Sequence, residues 1–216
     1  MKKSIFGILI MMESLLLAFC SLVSVFYREG HWDLFLLIAA AAFLIGLICK
    51  VAGEREKDKR LTRADSFLVV TLSWVVFSVI GSIPYIFIAG MDVHSAFFES
   101  ISGFTTTGAT CMMDVDAMPH DLLFWRSLTH WIGGIGIVVF SFALIPSYEM
   151  KSSNVFSAEV TGLGVDKLRP KIGDTARRLL LIYMFLTAVC ALCYWLGPMD
   201  TLDSVCHAMS TIATGG

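Results

Sequence analysis

Two stretches of this 216-residue chain carry residue types suited to holding a cation: FFESISGFTTTGAT, from Phe97 to Thr110, and SVCHAMSTIATGG, from Ser204 to Gly216. Both run into a turn of threonine and glycine that contains no carboxylate. Glycine reaches backbone angles that other residues resist, so Gly108 and Gly216 allow successive carbonyls to turn toward one axis. Thr106, Thr107 and Thr214 add hydroxyl oxygens, and a ring of neutral oxygens can replace part of an ion's hydration shell. A full carboxylate would bind the ion too tightly for quick release. A short helix leading into each turn and ending at Ser102 or Ser210 would present its negative C-terminal end there, which also favours a cation. The competing reading is that serine, threonine and glycine only let helices approach closely in lipid.

Other residues suggest a different chemistry. Glu99, His130, His207 and the six cysteines (Cys20, Cys49, Cys111, Cys190, Cys193, Cys206) are the raw material for an intramembrane enzyme or a metal-handling protein. Cys190, Cys193, Cys206 and His207 superficially spell a zinc set. The first pair, however, falls inside an apolar run, where a thiol usually packs as a small hydrophobe. No H-E-x-x-H or G-x-S-x-G pattern accompanies them. No metal site, covalent cofactor or bond-making activity is therefore expected.

The elements that must position these turns are set by composition. Hydrophobic residues make up 56% of the chain and charged residues 16%, with a mean hydropathy of +0.76, values a soluble domain of this length rarely shows. Nucleic-acid binding finds no support. A helix needs about 20 apolar residues to cross the hydrocarbon core. Five runs qualify: Ser4 to Tyr27, Trp32 to Val51, Ser66 to Ala89, Leu122 to Pro146 and Thr175 to Gly197. The first could be mistaken for a signal peptide, but its apolar part is too long and lacks an A-x-A site, so it reads as a retained span. Two shorter pieces, Val93 to Thr110 and Thr201 to Gly216, cannot span. The expected fold is an all-α membrane protein with five transmembrane helices and two re-entrant loops.

Basic residues cluster on one side if the five spans alternate: Lys2 and Lys3, the run KVAGEREKDKRLTR, and Lys151, Lys167, Arg169, Lys171, Arg177 and Arg178. The positive-inside rule makes that side, with the N-terminus, cytoplasmic. Both short pieces then enter and leave from outside, where Asp92, Asp114, Asp116, Asp121, Asp200 and Asp203 lie. Sliding the chain by 108 residues aligns GMDVHSAFFESISGFTTTG with PMDTLDSVCHAMSTIATGG without a gap. Asp92 meets Asp200, Ser102 meets Ser210, Glu99 meets His207, Thr106 meets Thr214 and Gly108 meets Gly216. The organisation is therefore residues 1–62, two N-terminal spans and a basic loop; 63–146, a first helix, loop, helix repeat; 147–170, a connection; and 171–216, a second repeat as far as its turn.

The residues SAFFESISGFTTTGAT, LLFWRSLTHWIGGIGIVVFSFALIP and DSVCHAMSTIATGG together resemble the TrkH-type potassium uptake proteins of the Trk/Ktr/HKT superfamily, and the likeness covers nearly the whole chain. Such proteins are built from four helix, pore-loop, helix repeats, each loop giving one glycine-centred quarter of a potassium filter. The resemblance implies Thr106, Thr107, Gly108 and Ala109 as one quarter and Thr214, Gly215 and Gly216 as the start of the next, with Ser102, Glu99, Ser210 and His207 supporting them. It further implies potassium as the transported ion, a bacterial inner-membrane location, a nucleotide-binding TrkA-type cytosolic partner and a homodimer of full-length protomers. Two repeats, the second helix of repeat two and the basic gating residue of repeat three have no counterpart here, so the sequence reads as the N-terminal half of such a protein. Four residues outside the turns carry further expectations. Gly133, Gly134 and Gly136 should serve close helix packing, and Arg126 should snorkel to the interface.

Overall fold

A computed structural model describes residues 2–54, 63–144 and 172–216. The elements among the described residues are all helices: α1 (Lys2–Tyr27), α2 (Trp32–Glu54), α3 (Arg63–Phe87), α4 (Val93–Phe104), α5 (His120–Leu144), α6 (Ile172–Trp195) and α7 (Thr201–Ile212). The connection 147–170 and most of the basic loop after α2 lie outside the described residues, as does the aligned pair Arg63 and Lys171 at its second member. Four stretches are long and apolar enough to cross a membrane: Lys3–Tyr27, Trp32–Glu54, Phe67–Phe87 and Arg177–Trp195. The chain is a multi-pass, all-helical membrane protein. The helices α4 and α7, 12 residues each, rise only about 18 Å and cannot span.

Sequence explains where the helices stop. At the end of α1, Arg28 takes a left-handed conformation (φ 58°), and the Glu29 N–H donates to the Ser24 carbonyl at 3.0 Å, a Schellman closure. The loop from α1 to α2 is pinned to the start of α5. His31 Nδ1 lies 3.1 Å from Asp121 Oδ2, His120 pairs with Glu29, and the His120 ring stacks on Tyr27 at 4.7 Å. The N-terminal pair of helices thus grips the repeat unit at one end.

The two repeats are built alike. Asp92 caps α4 by accepting from the Ser95 N–H, and Asp200 caps α7 by accepting from the Asp203 N–H at 2.7 Å; such caps stabilise a helix by about 1 kcal/mol each. The helix α4 packs on α3 as α7 packs on α6, while α5 packs on both short helices. At the centre of the first repeat, Phe104 lies 5.7 Å from Phe77 and 6.2 Å, edge to face, from Trp125. The Trp125 indole N–H donates to the Gly81 carbonyl at 3.0 Å, so the polar edge of a fully buried ring is satisfied and α5 is fixed to α3.

Candidate cation-conducting site

Each short helix ends in the same backbone knot. After α4 the Thr106 N–H donates to the Gly103 carbonyl and the Thr107 N–H to the Ser102 carbonyl, both at 2.9 Å; after α7 the Thr214 N–H donates to Thr211 at 3.0 Å and the Gly215 N–H to Ser210 at 2.8 Å. These pairs are Schellman motifs, which require a left-handed residue at the helix exit. That residue is a threonine both times: Thr106 at φ 55° and Thr214 at φ 61°. A β-branched residue there is strained at a cost of about 1–3 kcal/mol, a cost typical of functional sites. Two residues later, Gly108 (φ 75°) and Gly216 (φ 88°) bend the chain again. The short helices run two residues past the expected ends at Ser102 and Ser210, whose carbonyls instead close the knots.

The two turns touch. A Cβ placed on Gly108 would lie 1.9 Å from the Gly215 carbonyl oxygen, so the first turn leaves no room for any side chain where it meets the second. Thr107, Ala109 and Thr110 are exposed beside it, as are Thr214 and Gly216, whereas Gly215 is buried. The Thr105 and Thr107 hydroxyls lie 2.8 Å apart. Ser102 donates its hydroxyl to the Ala109 carbonyl at 2.6 Å, engaging one lone pair of that expected filter oxygen.

A buried ion pair braces the first turn. Glu99, 1% exposed, lies 2.9 Å from Arg126 Nε through Oε1. Its Oε2 accepts from the Thr110 hydroxyl at 3.0 Å and the Cys111 N–H at 2.9 Å. Arg126 also reaches toward the Gly108 carbonyl, at 3.4 Å. Arg126 therefore does not snorkel; it sits behind the turn because the opposite charge of Glu99 is there. The repeat-mate of Glu99, His207, does something else. It is exposed, lies edge to face on Tyr194 at 6.1 Å, and lines a cavity of about 90 Å³ with Asp116, Asp203, Ser210 and Gly216. The second turn is held by His130, buried on α5, whose Nδ1 lies 3.0 Å from the Ser210 hydroxyl and whose ring backs Gly215.

The glycines of α5 permit this assembly. A Cβ on Gly133 would lie 2.1 Å from the Phe104 carbonyl oxygen, and one on Gly134 would lie 2.6 Å from the Tyr183 hydroxyl and 3.1 Å from Ala213 Cα. One helix thus bears on the ends of both short helices through adjacent glycines. Gly133→Val is expected to abolish a monodisperse folded peak in size-exclusion chromatography of the full-length protein. Gly136→Ala, whose Cβ would meet only the Trp74 ring at 3.2 Å, should retain it.

The residues of the enzyme or metal reading are not gathered. Glu99 is spent on Arg126, His130 on Ser210, and His207 faces Tyr194. The six cysteines are free, and no group of three or more His, Cys, Asp or Glu among the described residues could hold a metal ion.

Comparison with known proteins agrees with this architecture. The family model TrkH, described as a cation transport protein, matches residues 37–216. The Trk system potassium uptake protein TrkH of Salmonella typhimurium is 39% identical over 98% of this chain and 44% of its own length. TrkG, the Trk system potassium uptake protein of Escherichia coli K12, is 33% identical over 97% and 44%. The crystal structure of the potassium transporter TrkH from Vibrio parahaemolyticus superposes with a TM-score of 0.82 at 35% identity, over 99% of this chain and 43% of that one. The chain spans less than half the length of these relatives. With a family match across both repeats and the same fold in a solved relative, the chain belongs to the TrkH family of cation transport proteins.

Proposed function

We propose that this chain supplies the first two quarters of a potassium-selective pore in a Trk-type uptake transporter of the bacterial inner membrane, the remaining quarters coming from the rest of a full-length protein. The observation that carries this reading is the pair of matching turns, each a left-handed threonine followed by a left-handed glycine, in backbone contact at Gly108 and Gly215. Irregular backbone is tolerated at membrane depth only where protein surrounds it or water lines it. Here α4 and α7 are re-entrant pore helices, α5 is the fifth span, and the N-terminus is cytoplasmic. The C-terminal ends of the short helices lower the energy of a cation beside the turns. Thr106, Thr107, Gly108, Ala109, Thr214, Gly215 and Gly216 form the part of the filter carried here. Their neutral oxygens stand in for water that the ion sheds, and potassium leaves easily because no carboxylate holds it. Glu99, Ser102, His130 and Ser210 keep the turns in shape without touching the ion. Two further assignments come from the family likeness. A nucleotide-binding TrkA-type protein docks on the cytoplasmic face, and full-length protomers pair as a homodimer.

The test is rubidium tracer uptake in bacteria lacking their own potassium uptake systems and expressing the full-length gene. Growth at low potassium should be restored, with tracer uptake competed by potassium and spared by an equal concentration of sodium. Equal competition by sodium would sink the selectivity assignment, and no uptake at all would sink the transport assignment.

A further inference from the structure

Behind the first turn, between α1, α3 and α5, lies a cavity of about 490 Å³, well inside the range of small-molecule sites. Its walls are apolar and aromatic, with Leu16 from α1, Trp74 and Phe77 from α3, Phe104 at the end of α4, and Ile132 and Ile135 from α5. Glu13 also lines it. That residue is 2% exposed, and neither carboxyl oxygen has a hydrogen-bond partner among the described residues. Ser73, a second polar residue of the wall, does not donate to it, because its hydroxyl proton goes to the Val69 carbonyl at 2.7 Å. A carboxyl group without partners in so apolar a place is expensive. Each of the other buried carboxylates among the described residues has at least one partner: Glu99 has Arg126, and Asp121 has His31.

We infer that this cavity is a binding site for a lipophilic amine, whose nitrogen pairs with Glu13 and whose hydrocarbon body fills the space against Trp74, Phe77 and Phe104. The volume suits about a dozen non-hydrogen atoms with some slack, at about 30 Å³ for each water-sized group. A protonated amine donates charge-assisted hydrogen bonds to the carboxylate, and the aromatic walls favour a cation further. An alcohol of the same length supplies only one neutral donor, and a fatty acid brings a second carboxylate against the first. The site is independent of conduction: it touches Phe104 but none of the turn residues, and its occupancy is read without ion flux.

The experiment uses the full-length protein in nanodiscs and a diazirine-bearing decylamine as photolabel. Labelled peptides should contain Leu16 or Trp74, and decylamine should compete at a concentration at least tenfold lower than decanol or decanoate. Glu13→Gln should raise the competing concentration of decylamine at least tenfold, to about that of decanol. Leu16→Trp, which fills the cavity without altering the carboxyl group, should abolish labelling and provides the reading if Glu13→Gln does not fold. Label scattered over lipid-facing side chains, competition by decanol as good as by decylamine, or labelling unchanged in either variant would overturn the assignment.

Discussion

Gly108→Ala in the full-length protein is expected to lower potassium uptake at least tenfold and to weaken discrimination against sodium, with the folded protein still recoverable. Two penalties coincide at this position. At φ 75° an L-residue pays roughly 1–2 kcal/mol, about a tenfold loss of correctly shaped turn, since 1.4 kcal/mol is a decade. The added methyl would also stand 1.9 Å from the Gly215 carbonyl oxygen, and that atom is backbone, which cannot rotate away as a side chain would. One turn must therefore move relative to the other, displacing carbonyl oxygens of both turns at once. Thr106→Gly is the informative contrast. It relieves the strained left-handed threonine at φ 55°, so the variant should be as stable as the parent or more so, and it opens no clash. If Gly108→Ala transports as the parent does, the contact between the turns has no part in conduction.

How much of this was readable beforehand varies with the kind of force involved. Four of the five expected spans were legible because membrane thickness imposes a length on apolar runs, and their ends differ from expectation by a few residues, the first running from Lys3 where Ser4 was expected. The likeness of the two short helices was legible at their caps and bends, since Asp92 and Asp200, Gly108 and Gly216 play equivalent parts in the structure. The left-handed threonines were not. Intrinsic preference assigns such angles to glycine, and only the packing around each helix exit forces Thr106 and Thr214 into them. The signal that could have found them is the spacing itself, a threonine two residues before the glycine in both aligned turns.

Arg126 was misread for a related reason. A single charge near the end of an apolar helix usually snorkels, and nothing within one helical turn of it is acidic, Asp121 being five residues away. Its partner Glu99 is 27 residues earlier on another helix, beyond any local periodicity. The clue available was energetic. Glu99 and Arg126 are opposite charges inside otherwise uncharged stretches, and two such groups at membrane depth lower each other's cost only by meeting. The pairing of His130 with Ser210 escaped for the same reason, the two lying 80 residues apart in sequence.

That ion pair makes the second large prediction. Arg126→Leu strands a carboxylate that is 1% exposed, and Glu99→Leu strands a guanidinium whose side chain is 14% exposed while also depriving the Thr110 hydroxyl and Cys111 N–H of their acceptor. Removing one partner of a buried pair typically costs about 3–5 kcal/mol, most of it from the charge left behind, whereas removing both can be far cheaper. Each single variant should therefore be strongly destabilised in thermal unfolding of the purified full-length protein, with little potassium uptake. The double variant Glu99→Leu with Arg126→Leu should recover much of the stability. It should not recover the uptake, because the Thr110 and Cys111 donors that tie the chain beyond Gly108 still lack their acceptor. Glu99→Gln separates the two roles, since an amide oxygen can accept from Thr110 and Cys111 but cannot neutralise Arg126. It should transport better than the double variant despite being less stable. Stability losses that simply add in the double variant would mean that the two side chains act separately, and a double variant with parental uptake would mean that the brace does not shape the turn.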